Sequence, residues 1–434
     1  MSDVAVIGGG LAGLAAARTL RRAGYRCTVF EAADTVGGRI RSEKFDDITV
    51  DNGLQLMNAW YPAVKELLQP GEYAALNLKP FRPAFQTLTD KGLAMFCDPI
   101  RAPHLIPPFM RSKFGSALSV RDMFGMRKWM TSEIKHRSSL EMRKIRPSRV
   151  ARDVSVSESL DDFGINRQMR KLVLDPLIEA FLFDPHGESS AIFAKWMLAS
   201  LLRGTLAVPD NGMGELSATM GRIPGARIEL NSEVTDVKDS TDGVDIHVGR
   251  SGLTERFPYA IVAVDPAVES RFVSLPQPAS NDVATWWFVS DDPISDNPMI
   301  VVDGARRTPI SAATELTAAA PSYAPERHLV AANVVAKKEA ELPSDEDMKG
   351  HLGTLFGVDS SGWELVTRQF IADAIPVIPP QRRTPAGKLL HTGEFIGERT
   401  VVAGSQHATP TIDGALRSGQ QAAKAIIKRL ENTE

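Results

Sequence analysis

The hexapeptide Gly8-Gly9-Gly10-Leu11-Ala12-Gly13 constrains the fold of this chain more than any other stretch of it. It follows Val4-Ala5-Val6-Ile7, an apolar run with β-branched residues of the kind that forms a buried parallel strand. It opens a helical run, Leu14 to Leu20, which Gly24 terminates; Cys27-Thr28-Val29-Phe30 then supplies a second strand closed by Glu31. Strand, turn, helix and strand in that order, with G-x-G-x-x-G spacing at the turn, predict a dinucleotide site. Gly8 permits the tight turn, Gly10 lets the backbone approach a diphosphate, and Gly13 lets helix and strand pack closely. Leu11 and Ala12 begin the helix, whose free N–H groups and partial positive charge face the phosphates. Glu31, followed by Ala32, sits at the offset where a carboxylate accepts hydrogen bonds from a ribose diol and repels a 2′-phosphate, which disfavours NADP.

Composition bounds the rest. A chain of 434 residues suggests two domains, and 43% hydrophobic with 24% charged residues suits a folded core rather than disorder. Fifty basic against 53 acidic residues leave a net charge of -3, so a general nucleic-acid binder is not expected. Two cysteines, Cys27 and Cys97, cannot build a disulfide framework and fit a reducing compartment. Met1-Ser2-Asp3 lacks the positive start of a signal peptide, and no run approaches the roughly 20 apolar residues of a membrane span. The expectation is a cytoplasmic protein, with attachment to a membrane surface left open.

The segment after Glu31 separates FAD from NAD. Thr35-Val36-Gly37-Gly38-Arg39-Ile40-Arg41-Ser42 joins two glycines, which let the backbone approach a phosphate, to a guanidinium that can pair with it. Placed just after a ribose-binding acid, this stretch resembles the second signature of the FAD-dependent amine oxidase and carotenoid (phytoene) desaturase superfamily. The resemblance implies that Arg39 contacts the FAD diphosphate. Val50-Asp51-Asn52-Gly53-Leu54-Gln55 resembles the family's next strand and turn, which implies that Gly53 and Gln55 lie near the flavin ring.

The resemblance reaches the far end of the chain. Leu389-Leu390-His391-Thr392-Gly393-Glu394 reads as a strand ending in glycine and an acid, and Thr409 to Gly419 reads as a loop leading into a terminal helix. In the family a Gly–acid pair binds the ribityl or phosphate region, and the helix start faces the pyrimidine carbonyl. That implies roles for Gly393 and Glu394, and for Thr411, Ile412 and Gly414. Physically, a helix N-terminus there would stabilise the negative charge of reduced flavin. Between the two ends, Glu233-Val234 resembles the family strand whose valine, here Val234, holds the adenine. Ser232–Val237, Val244–Val248 and Phe257–Val264 alternate like a three-stranded meander. Asp265 stands where the family usually has Thr before Pro266.

The expected fold is therefore α/β: a Rossmann-type FAD-binding domain (GR2-type flavoprotein) with an inserted α+β substrate domain. The flavin domain would be assembled from about residues 1–80, 205–282 and 385–434, and the substrate domain from about 81–204 and 283–384. The first insert reads as largely helical and the second as strand-rich, with Leu316 to Tyr323 a loop. From Arg101 to Arg149, 12 basic residues face three acids, interleaved with Met110, Phe114, Met123, Phe124, Met126, Trp129 and Met130. Two readings stand: a peripheral contact with anionic lipid at the mouth of an apolar tunnel, or helices with a buried apolar side and a solvated basic one.

A flavin performs the redox chemistry itself, so the protein needs only to orient a C–H bond and exclude water. No catalytic residue is singled out: Trp286, Trp287, Phe370 and Lys337 carry no distinguishing spacing. No metal site is expected, since His104, His136, His186 and His391 lack ligand spacing. No cysteine follows Cys97, so the C-terminal covalent flavin link of some family members is not available and FAD should be non-covalent. The resemblance implies a desaturase-like dehydrogenase taking a small apolar, isoprenoid-type substrate. The alternatives are an amine oxidase or protoporphyrinogen-type oxidase releasing peroxide, and a non-catalytic FAD-binding protein.

Overall fold

The computed structural model describes residues 3–98, 100–111, 118–132, 153–249, 252–336, 339–380 and 393–432. Val4, Ala5, Val6 and Ile7 are buried on both faces, as an apolar run without alternation requires. Their strand, Asp3–Ile7, is central in a five-stranded parallel sheet in the order Arg227–Glu229, Arg26–Phe30, Asp3–Ile7, Tyr259–Val262, Thr400–Val402. The helix Leu11–Arg22 covers this sheet and packs along the C-terminal helix Ile412–Glu431. The two approach so closely that a Cβ at Gly419 would lie 1.9 Å from the carbonyl oxygen of Ala12. Chain start and chain end are thereby locked into one layer.

The meander is shifted from its expected bounds. Its strands are Val234–Ser240, Gly243–Val248 and Leu253–Phe257, while Tyr259–Val262 crosses into the parallel sheet. The run from Phe257 to Val264 is apolar throughout its second half, which suits a central strand and not an alternating one.

A seven-stranded sheet forms the second layer, in the order Glu364–Pro376, Ser280–Ser290, His328–Ala336, Ala312–Glu315, Ile300–Asp303, Ala84–Thr89, Gly92–Cys97. All its pairs are antiparallel except Ile300–Asp303 with Ala84–Thr89. The first insert is thus not purely helical: its opening hairpin, turning at Asp90-Lys91, joins this sheet before the helices begin. Leu316 to Tyr323 is a loop closed by a short 3-10 turn. Among the helices against the sheet are Val120–Thr131, Asp175–Leu182 and Ala191–Leu201.

Of the apolar residues interleaved in the basic segment, Met123, Met126, Trp129 and Met130 are in the core, while Phe124, Arg121 and Lys128 lie outside. Residues 112–117 and 133–149 of that segment lie outside the described residues.

Candidate functional site

The C-terminal ends of the parallel strands open into a cavity of about 620 Å³ that extends to the seven-stranded sheet. At its sheet-ward end the glycines divide by task. A Cβ at Gly8, where φ is +101°, would meet the Ala263 carbonyl oxygen at 2.3 Å, and one at Gly13 would meet the Gly8 carbonyl oxygen at 1.9 Å. These two are glycine because backbone passes there. A Cβ at Gly10 would meet no protein atom within 4 Å, although Gly10 lines the cavity. Its missing side chain leaves room for a ligand, at the N-terminus of a twelve-residue helix.

Glu31 ends the second strand with its carboxylate buried. Oε2 accepts the Gly9 N–H at 2.6 Å and Oε1 accepts the Ala33 N–H at 2.9 Å. A carboxylate has lone pairs beyond these two bonds, so a diol can still be held. Leu11, Ala12, Ala32, Gly37, Gly38, Arg39, Gly53, Gln55, Val234, Thr411 and Ile412 line the same cavity. Gly37 N–H donates to the Gly9 carbonyl at 2.9 Å, which ties the two glycine signatures together. The Arg39 guanidinium is paired with Asp265 and also donates to the Ala374 carbonyl at 2.9 Å. Thr411 caps the C-terminal helix, its hydroxyl accepting the Gly414 N–H at 3.0 Å. Gly414, like Gly13, lies behind the lining: its Cβ would sit 1.9 Å from the Thr409 carbonyl oxygen.

Gly393 and Glu394 do not join this group. Glu394 is exposed and neither residue lines the cavity; residues 381–392 ahead of them lie outside the described residues. The strand that enters the sheet and ends at the cavity is Thr400–Val402, and it delivers Gly404-Ser405-Gln406. Gly404-Ser405, and not Gly393-Glu394, thus stands at the cavity. Val401-Val402-Ala403-Gly404 also reads as a strand ending in glycine, but its next residue is serine, whereas the glycine eleven residues upstream is followed by an acid. The loop is pinned by a buried pair: His407 Nε2 lies 2.7 Å from Glu269, and Gln406 Nε2 donates to Glu269 at 3.0 Å.

Further residues were missed because only pairing across the sheet reveals them. Gln369 Oε1 accepts the Gly53 N–H at 2.8 Å and the Trp287 Nε1–H at 3.1 Å. Beside it, the Thr285 hydroxyl donates to Asn333 Oδ1 at 2.7 Å. Trp286 and Trp287 are buried structural residues, and Lys337 lies outside the described residues. No cluster of metal-ligating side chains exists among the described residues.

The cavity fits a dinucleotide carrying a flavin. Gly10 leaves space at a helix N-terminus, the Glu31 carboxylate is held beside it by the Gly9 N–H, and Gln55 Oε1 is buried without a partner. The Gln55 amide is oriented by its Nε2, which donates to the Arg39 and Asn52 carbonyls, so the oxygen awaits a donor.

This is the Rossmann-type FAD-binding fold with an inserted domain, the architecture of FAD-dependent oxidoreductases. The model of the flavin containing amine oxidoreductase family matches residues 11–427, and the chain belongs to that family. It is similar to lysine-specific histone demethylase 2 of Homo sapiens, 50% identical over 57 residues that cover 13% of this chain and 7% of that protein. It is also similar to 4,4'-diapophytoene desaturase (4,4'-diaponeurosporene-forming) of Staphylococcus haemolyticus, 22% identical over 305 residues, covering 64% of this chain and 58% of that one. These matches span less than two thirds of either relative's length. Among solved structures, cyclohexylamine oxidase of Brevibacterium oxydans IH-35A is similar in fold, with a TM-score of 0.73 at 15% identity over 99% of each chain.

Proposed function

We propose that this protein is a dehydrogenase that removes hydride from a C–H bond of an apolar, isoprenoid-type substrate. One observation carries the reading: the charge distribution along the cavity wall. The carboxylates among its lining residues are Glu31, Glu233 and Asp265, which sit at the parallel-sheet end or on Arg39. Elsewhere the wall includes Leu54, Leu56, Phe181, Met197, Leu201 and Ile300, and its polar residues there carry no negative charge. An ammonium brought there would lose hydration with no carboxylate to offset its charge, at a cost of several kcal/mol.

When bound, FAD would supply the hydride-accepting chemistry. The chain supplies water exclusion and a wall against which an apolar chain is oriented. A smaller cavity of about 110 Å³ shares Phe181, Leu201, Leu206 and Ile300 with the large one and is lined by Met123, Met126 and Met130. It extends the apolar space toward the basic segment, where we place a peripheral contact with anionic lipid; flotation with anionic against neutral liposomes tests that contact. No helix among the described residues is long and apolar enough to cross a membrane.

The alternative is an amine oxidase or a protoporphyrinogen-type oxidase releasing peroxide. Anaerobic bleaching of the flavin by isoprenoid, tetrapyrrole and amine panels tests the function. Bleaching by amines alone would sink it, and bleaching by none would favour a non-catalytic role.

A further inference from the structure

Four directly paired residues cross the seven-stranded sheet in one row: Ala312, Asn333, Thr285 and Gln369. Directly opposed residues share a face, so this row presents hydroxyl and carboxamide groups together. Thr285 and Asn333 are 0% and 4% exposed, and Ala312 and Asn333 line the large cavity. The row also reaches the flavin turn. Gln369 holds the Gly53 N–H, and the position of a Gly53 Cβ lies 3.6 Å from Thr285 Oγ1.

Both carboxamides have their oxygens committed. Asn333 Oδ1 takes the Thr285 hydroxyl proton, and Gln369 Oε1 takes two N–H groups. The Asn333 amide nitrogen has no hydrogen-bond partner among the described residues, and its residue borders open cavity. A donor that faces the cavity is complemented by an acceptor, so an acceptor oxygen is what this part of the wall favours. An ammonium, which only donates, finds no complement in the Asn333 amide nitrogen.

We infer that Asn333 is a binding residue for an acceptor oxygen on an otherwise apolar substrate, a carbonyl or ether oxygen, with Thr285 as the positioning residue that orients its amide. This deepens the apolar-substrate reading and rests on it.

The test uses the FAD-loaded protein and reads perturbation of the flavin absorption spectrum. Decan-2-one is titrated against its alkene isostere 2-methyldec-1-ene, with decylamine as a third arm. The ketone should bind about tenfold more tightly than the alkene, the effect of one hydrogen bond to a neutral donor. Asn333→Leu should abolish that contrast while still retaining FAD, and Thr285→Val should shrink it with the alkene unaffected. Equal binding of ketone and alkene to the unaltered protein, or a contrast that survives in Asn333→Leu, overturns the assignment and leaves the apolar reading standing. Perturbation by decylamine alone overturns both.

Discussion

Asp265 Oδ1 lies 2.5 Å from Arg39 Nη2 and 2.8 Å from Arg39 Nε, so the arginine of the diphosphate signature is held by a carboxylate from the other side of the cavity. Asp265 starts the short helix Pro266–Phe272 yet makes no side-chain cap to it. Its side chain serves Arg39 instead.

The pair is 27% and 61% exposed and worth at most about 1 kcal/mol, so a diphosphate can take over the guanidinium readily. The carboxylate stays close to the incoming charge. Asp265→Asn should therefore tighten FAD binding to the apoprotein several-fold at low salt, with the gain shrinking as salt is added. Quenching of flavin fluorescence measures this; weaker binding by the variant would make Asp265 a positioning partner instead of a competitor.

Gly10→Ala and Gly13→Ala should separate room for the ligand from room for the chain. A methyl at Gly13 drives into the Gly8 carbonyl and should cost about 1–3 kcal/mol of folding stability, or more if the turn cannot shift. A methyl at Gly10 enters the cavity, so apoprotein stability should hold while FAD affinity falls. Thermal melts of the two apoproteins, set beside their FAD dissociation constants, decide the matter.

Glu31→Ala should weaken FAD retention by roughly 1.5–3 kcal/mol, the range for hydrogen bonds to a charged acceptor. The Gly9 and Ala33 N–H groups lose their acceptor at the same time, so the glycine turn should loosen as well. The unaltered protein should release its FAD intact on denaturation, as a non-covalent cofactor does. Gel filtration followed by an absorbance ratio reads both effects, and unchanged retention would remove Glu31 from the ribose.

Asp51 supplies a pH signature. Burial pushes its carboxyl up to about 6, against the opposing hydrogen bonds from Ser42, the Met213 N–H and Tyr323. Its contribution is fully present below the unfolded value near 3.8, and is lost as pH rises through about 6, because the unfolded chain ionises first. The loss is on the order of 3 kcal/mol. Chemical unfolding of the protein and of Asp51→Asn should diverge between pH 4 and 6 and then run parallel; a difference independent of pH would contradict this.

Much of the nucleotide half was legible in sequence because its determinants are local. Gly8, Gly10 and Gly13 are fixed by what one turn and one helix demand of the backbone, and Glu31 follows at a spacing set by a single helix and strand. The C-terminal segment was ambiguous because two nearby runs both look like strands ending in glycine. Only parallel pairing of Val401 with Ile261 shows which one enters the sheet. The hairpin Ala84–Cys97 was hidden for a related reason: its partner strand, Ile300–Asp303, lies some 200 residues away.

The sequence by itself determined the cofactor class, since glycine spacing and a ribose-binding acid are short-range requirements written into consecutive residues. Which polar residues meet across the seven-stranded sheet was settled by the fold alone. Thr285, Asn333 and Gln369 are ordinary polar residues in three separate strands, and they become a single donor-bearing row only when antiparallel pairing brings them side by side. The same holds for Arg39 and Asp265: their charges are plain in the sequence, but they pair only because the strand Tyr259–Val262 ends beside the loop that carries Arg39.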